Sequence, residues 1–180
     1  NARGLLLGRE GGDETFGSSD YEFIEIKNSG NSTLNLGGVR FVNGITYTFP
    51  GESSLSPGGF IVLASNEEAF YSRYGFMPFA EYNGQLSNNG EWLVVTSPLN
   101  DTICSVSYND GKSWPQSADG GGYTLVPVDL NPAGDQNLPT SWRASFQKGG
   151  APGKDDLSND AIAIVQNSKA DMFSLLPNYP

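Results

Sequence analysis

Histidine is absent from this chain, and its absence removes most routes to acid–base and nucleophilic chemistry. None of the 180 residues is His. Ser-His-Asp and Cys-His nucleophilic sites, and zinc sites built on imidazole, are therefore excluded. The single cysteine, Cys104, shares a predicted strand face with Val106 and Tyr108. We interpret it as a core residue, because free cysteine is among the most buried residue types.

Glu22 and Glu25 form a carboxylate pair within one predicted strand. Side chains three positions apart on a strand point to opposite faces of the sheet. A general acid and a general base must instead converge on one substrate. We therefore expect one solvated and one hydrogen-bonded carboxylate, and the sequence predicts no catalytic residues.

Oxygen-bearing side chains cluster in residues 129–137, which include Asp129, Asn131 and Asp135. Hard cations such as Ca²⁺ bind roughly six to eight oxygen ligands in loops of this kind. The spacing is not that of an EF-hand, and Pro132 interrupts it. These three residues are candidate calcium ligands, and a solvated loop is the alternative that we favour.

Residues 71–82 are rich in aromatic side chains, among them Tyr71, Tyr74 and Phe76. These side chains cannot all be buried beside one short helix. An exposed apolar group of this kind marks an interaction surface. Tyr71, Tyr74 and Phe76 are therefore candidate ligand-binding residues.

Tryptophan side chains would stack on sugar rings if they were exposed. Trp92 lies in a continuous apolar run, which predicts that it is buried. Trp114 is a further candidate ligand-binding residue, although we favour packing in the core for both Trp114 and Trp142.

The charge balance argues against polyanionic partners. Twenty acidic residues oppose ten basic ones, which gives a net charge of −10. Nucleic acids and anionic lipids are bound through clustered Lys and Arg, and here the basic residues are scattered. The sequence disfavours nucleic-acid binding, and no apolar run approaches the ~20 residues that span a bilayer.

Short alternating runs separated by turn dipeptides predict a β-rich fold. Pairs such as Asn43-Gly44 and Asn89-Gly90 favour tight reversals, because Gly accepts a positive φ. The predicted strands are residues 21–27, 34–36, 45–49, 60–64, 92–95, 103–108 and 123–128. Many short strands with frequent turns indicate a sandwich or a barrel.

One short helix is predicted after residue 64. Ser65 followed by Glu68 fits a capping box. Phe70 and Tyr74 then lie four residues apart on one helix face, and Gly75 can end the helix.

An ordered series of motifs resembles the lamin-tail domain. Residues 22–28 are similar to the strand that opens such domains, and Trp142 with residues 149–153 is similar to its closing motif. Further similar pieces, in the family's order, are residues 34–38, 46–50, 55–64, 86–91, 107–108, 114–115 and 121–125. Residues 4–10 and 39–40 depart from the pattern.

The resemblance implies an all-β, immunoglobulin-like β-sandwich with one short helix, over residues 1–155. Lamin-tail domains of this type occur in bacterial secreted or cell-surface proteins. The resemblance implies no catalytic residues and no cofactor.

A second, shorter resemblance lies at the end of the chain. Residues 172–180 are similar to the start of a type IX-like C-terminal sorting or FlgD-like domain. This implies that residues 156–180 are a linker leading to a truncated sorting domain, and that the protein is exported.

Three functions remain open at this point. The first is a non-catalytic accessory module that docks or tethers its parent protein, with other domains of the same polypeptide or a cell-surface protein or polysaccharide as partner. The second is a carbohydrate-binding or adhesive module, calcium-assisted through residues 129–137. The third, a hydrolase, would need convergent carboxylates in a cleft.

Overall fold

A computed structural model describes residues 2–6, 15–131 and 135–158, with residues 2–6 described by their backbone. It contains one α-helix, α1, at Glu67–Tyr74, and short 3₁₀ turns at Ser18–Tyr21, Gln116–Ala118 and Pro139–Ser141. The strands are β1 Ala2–Leu6, β2 Phe23–Lys27, β3 Leu34–Asn35, β4 Arg40–Asn43, β5 Ile45–Thr48, β6 Ser54–Leu55, β7 Phe60–Ala64, β8 Ala80–Glu81, β9 Asn83–Gly84, β10 Gly90–Thr96, β11 Thr102–Asn109, β12 Tyr123–Pro127 and β13 Trp142–Lys148.

Two sheets and a small ribbon hold the strands. The first sheet has six strands in the order β13-β12-β1-β2-β7-β8, and the second has five in the order β11-β10-β4-β5-β9. β3 pairs with β6. Neighbouring strands are antiparallel, except that β7 and β8 run parallel. The predicted all-β class is confirmed.

The main core lies between the two sheets. Ile24, Ile26 and Leu63 enter it from the six-stranded sheet, and Phe41 and Leu93 enter it from the five-stranded sheet. Full burial of each such side chain contributes roughly 1.5–3 kcal/mol to folding. The alternation predicted for the strand at residues 45–49 is confirmed, since Ile45 and Phe49 are buried with Thr46 and Thr48 exposed.

The Asn43-Gly44 turn joins β4 to β5, as predicted. Gly44 has a φ of 79°, a conformation that glycine adopts without steric cost. A Cβ at this position would also lie 2.3 Å from a methyl group of Leu93. The close packing of the turn on β10 therefore requires glycine.

A second apolar cluster covers the outer face of the six-stranded sheet. Phe23 and Val62 pack there against Ala69 and Phe70 of α1. β2 is buried along its whole length, and β7 nearly so. This confirms that residues 60–64 form a strand covered on both faces.

The start of α1 differs from the predicted capping box. The N-cap is Asn66, whose Oδ1 accepts the Ala69 N–H at 3.0 Å. The hydroxyl of Ser65 instead donates to the Ser19 carbonyl at 2.6 Å. The capping box was wrong because that tertiary contact uses the Ser65 side chain. The predicted end of α1 is confirmed, since Gly75 has a φ of 74° and its N–H donates to the Tyr71 carbonyl.

Three other expectations need correction. Trp92 is 56% exposed, because it lies on the outward face of β10, and an apolar run does not show which face of a sheet stays uncovered. Tyr21 belongs to a 3₁₀ turn and not to the strand. The strands β1, β4, β6, β8, β9 and β13 were not among those predicted; β6, β8 and β9 are two residues long, and polar residues interrupt β13.

We expect Asn66→Ala to lower the free energy of unfolding by about 1 kcal/mol, because it removes the N-cap acceptor of α1. Glu68→Ala is the matched variant, and its effect should be a few tenths of a kcal/mol from the helix dipole alone. Urea denaturation measures both. A larger loss of unfolding free energy in Glu68→Ala than in Asn66→Ala would support the capping box after all.

Candidate functional site

Charged side chains are buried on the outer face of β2. Glu25 and Lys27 are 8% and 6% exposed and lie beneath residues 151–156, which we call the C-terminal segment. The Gly153 N–H donates to Glu25 Oε2. Lys27 Nζ forms an ion pair with Asp155 at 2.5 Å and donates to the Leu130 carbonyl at 3.2 Å. The C-terminal segment thus supplies partners for both side chains.

A second ion pair joins the C-terminal segment to β13. Arg143 Nη1 lies 2.5 Å from Asp156 Oδ2, and Arg143 Nη2 donates to the Asp156 carbonyl. The same carboxylate accepts the Phe146 N–H at 3.0 Å. Asp156, predicted as the first residue of a linker, is therefore bound to the sandwich.

A cavity of about 40 Å³ lies between the C-terminal segment and the sheet, lined by residues that include Phe23, Thr124 and Pro152. One water needs roughly 10–15 Å³ by this measure. The cavity has room for a few waters.

Burial raises the pKa of the Glu25 carboxyl to about 8; the Asp155 charge raises it further, while the Gly153 N–H and Lys27 oppose the rise. Burial also raises the pKa of Glu22, whose Oε2 accepts the Leu86 N–H at 2.9 Å. The expectation of one solvated carboxylate was wrong, because Glu22 faces the sandwich interior and Glu25 the C-terminal segment. Glu22, just before β2, and Glu25, within it, have side chains directed to opposite sides of the sheet, as predicted, and they do not converge.

Residues 71–79, which we call the aromatic segment, present large apolar side chains to solvent. Tyr71, Phe76, Met77 and Phe79 are between 38% and 54% exposed. Phe76 stands edge-on to Phe70 at 5.1 Å between ring centroids, and Phe79 lies 5.9 Å from Phe49. The exposed rings of Phe76 and Phe79 therefore pack against buried rings of the core.

Tyr74 has a structural role within the aromatic segment. Its ring lies 4.5 Å from Phe70 and 5.7 Å from Phe23, and its hydroxyl donates to the Gly149 carbonyl at 2.8 Å. Of the predicted binding residues, Tyr71 and Phe76 are exposed, whereas Tyr74 is partly buried. Met77 and Phe79 in the same segment are exposed as well.

Trp114 is 8% exposed and packs in the main core with Trp142. The packing interpretation is confirmed for both, and Trp114 has little surface to offer a ligand. Cys104 is partly buried and packs against the same core.

The calcium candidates lie in a stretch that the structure describes only in part. Asp129 and Asn131 are exposed, and residues 132–134 lie outside the described part of the chain. Asp135 Oδ1 accepts the backbone and side-chain N–H groups of Asn137 at 2.9 Å. Among the residues described, no group of three or more acidic, Cys or His side chains is arranged to hold a metal.

A model of the lamin tail domain family matches residues 9–110, which is more than half of the 180-residue chain. The chain belongs to the lamin tail domain family. Its two packed sheets agree with the immunoglobulin-like fold of that family, and lamin tail domains are generally non-catalytic. No curated protein matches the chain. Within the described residues, no helix is long and apolar enough to cross a membrane.

The family match ends at β11, and the structure extends the lamin tail domain beyond it. β12 pairs with β1, and β13 pairs with β12. The C-terminal segment then binds β2 and β13 through Glu25, Lys27 and Arg143. Residues up to Asp156 are thus part of the same packed unit.

We expect the lamin tail domain to lose stability as the pH rises from about 5.5 to 8.5. The pKa of Glu25 is about 8 in the folded state, against an ordinary value of 4.5. In this window the folded state binds more protons than the unfolded state. The free energy of unfolding therefore falls as the pH rises. The pKa of Glu22 shifts in the same direction. The Glu25 contribution is about 3–5 kcal/mol.

The variant Glu25→Gln should flatten this dependence and be more stable than the parent at pH 8.5, because the amide stays neutral and can still accept the Gly153 N–H. Exposed Glu52→Gln is the control and should keep the parental slope. Thermal melts across the pH range test this. An unchanged slope in Glu25→Gln would show that another group titrates.

Asp156→Ala should lower the free energy of unfolding by about 2–3 kcal/mol, because it leaves the Arg143 guanidinium and the Phe146 N–H without their acceptor. Asp156→Asn should cost less, since its carbonyl still accepts. Limited proteolysis of residues 151–158 should accelerate in the Ala variant. The exposed Asp119→Ala is the control, and equal proteolysis of both would rule out the anchoring role.

Proposed function

We propose that this lamin tail domain is a non-catalytic interaction module of a secreted or cell-surface protein, and that the aromatic segment is its docking surface. The proposal rests mainly on the exposure of Tyr71, Phe76, Met77 and Phe79 within nine residues. Aromatic residues and Met are enriched at the centres of protein interfaces. Rings held by a packed core lose little side-chain entropy on binding.

The partner that we propose is another domain of the same polypeptide. The C-terminal segment passes one end of the aromatic segment, since an added Cβ at Gly153 would lie 3.5 Å from Phe76. Just before this segment, the Gly149 carbonyl accepts the Tyr74 hydroxyl. The chain thus passes beside the docking surface at Gly153 before Asp156 binds β13. A short connection raises the effective concentration of whatever follows, to about the millimolar range.

Three features support a secreted or cell-surface location. The net charge is −10, the polar residues are mostly uncharged, and residues 172–180 resemble the start of a sorting domain. Those last residues lie outside the described structure. Export, the bacterial source and the sorting function remain part of this proposal.

Hydroxyl-radical footprinting tests the docking surface. Tyr71 and Met77 should be labelled in the isolated chain and protected in the polypeptide that the source cells produce, because a docked domain excludes solvent from them. Leu99, which is 83% exposed in the turn between β10 and β11, is the internal control and should be labelled in both. Equal labelling of Tyr71 and Met77 in the two samples would contradict docking.

The double variant Tyr71→Ser, Met77→Ser should melt within about 2 °C of the parent, because both side chains are more than half exposed and surface changes typically cost under ~0.5 kcal/mol. In the cell-made polypeptide it should remove the protection of Phe76 and Phe79. Tyr71→Phe keeps the ring and should retain protection. Protection that survives in the double variant would place the partner elsewhere.

A carbohydrate-binding or adhesive module is the second candidate. Tyr74 and Trp114 give it little support, because one is partly buried and the other is in the core. The exposure of Trp92 favours it. Calcium assistance through Asp129, Asn131 and Asp135 belongs to this candidate, with Asp135 already bonded to Asn137.

A further inference from the structure

The outer face of the five-stranded sheet carries an exposed indole ring. Trp92 lies on β10, between β4 and β11, and is 56% exposed. Val42 on β4 and Ile103 on β11 are each at least half exposed. In the described part of the chain, no helix or segment packs on these side chains as α1 packs on the six-stranded sheet. We call this surface the open sheet face.

The sheet holds Trp92 in place. β10 pairs with β11 over its whole length, with Trp92 opposite Ser107. Asn43 Nδ2 on β4 donates to the Trp92 carbonyl. The next residue, Leu93, is buried in the core, so the alternation along the strand directs the indole outward. The ring therefore stands on regular structure and not on a loop.

The strands of the five-stranded sheet carry few charged side chains in a strongly acidic protein. Of the twenty acidic residues, only Glu91 lies in β4, β5, β9, β10 or β11. Its carboxylate turns inward and accepts the Tyr108 hydroxyl and the Ser87 N–H, both at 2.8 Å. The one basic residue of these strands, Arg40, donates to Asn100.

Hydroxyl groups surround the apolar side chains of the open sheet face. Thr46 and Thr48 alternate outward on β5, and Ser107 lies on β11 opposite Trp92, all of them exposed. The surface thus combines one large flat ring, two aliphatic side chains and several uncharged hydrogen-bonding groups. A protein partner would favour a continuous apolar centre, which these hydroxyls interrupt.

We propose that the open sheet face binds a neutral polysaccharide, with Trp92 stacked on the apolar face of a sugar ring. A neutral glycan presents C–H faces and hydroxyl groups in alternation, which is the pattern of this surface. Polyanions are repelled by the net charge of −10, and a polycation would find no outward-facing carboxylate in these strands. The inference rests on the second candidate function and gives it a site and a class of ligand.

Affinity electrophoresis of the full chain in soluble neutral polysaccharides (a β-glucan, a xylan and a mannan) tests the proposal, with alginate as the anionic comparison. We expect retardation by at least one neutral polymer. Trp92→Ala should weaken it at least tenfold, and Trp92→Phe should retain a measurable part, because a ring remains. Binding should also shift the tryptophan fluorescence, since the other two indoles are buried.

Two controls separate this site from the docking surface. Leu99→Ala removes an exposed apolar side chain outside the strands and should bind as the parent does. The Tyr71→Ser, Met77→Ser variant should also bind normally, so the docking proposal can fail while this one stands. Absence of retardation in every neutral polymer, binding to alginate alone, or equal binding by Trp92→Ala would each overturn the inference. If the parent chain forms a dimer that the Trp92→Ala substitution dissociates, the open sheet face binds a second copy, and the polysaccharide proposal is overturned.

Discussion

The burial of β2 on both faces is the constraint on which the rest of the structure depends. Its inward side chains Ile24 and Ile26 fill the main core, and its outward side chains are Phe23, Glu25 and Lys27. Buried charges are costly unless partners reach them. The chain must therefore return over β2 after β13, bringing the Gly153 N–H and Asp155 to Glu25 and Lys27.

This return path also determines where the proposed docking surface lies. α1 covers Phe23, and the C-terminal segment covers the other half of β2. The two coverings meet where Tyr74 binds Gly149 and Phe76 adjoins Gly153. The aromatic segment remains exposed beside that junction, so the contacts that satisfy β2 also bring Gly153 next to exposed rings.

The sequence predicted the fold class well and the surfaces less well, for one physical reason. Alternation and turn residues report the local backbone, and these found seven strand regions and the end of α1. Burial of a particular side chain depends on what packs against its face. The predicted burial of Trp92 and the predicted capping role of Ser65 were wrong for that reason. The anchoring of Asp156 was missed because its partners are distant in sequence.

The outer faces of the two sheets of this lamin tail domain differ: one is covered and the other is exposed. The six-stranded sheet is closed on its outer face by α1 and the C-terminal segment, while the outer face of the five-stranded sheet keeps Trp92 exposed. These outer faces point away from each other in a sandwich. Under the two proposals, a partner at the aromatic segment would leave the open sheet face free, and one rigid domain would bind at both sides at once. Such two-sided binding joins two bodies through a fixed spacer, and the combined attachment exceeds either contact alone.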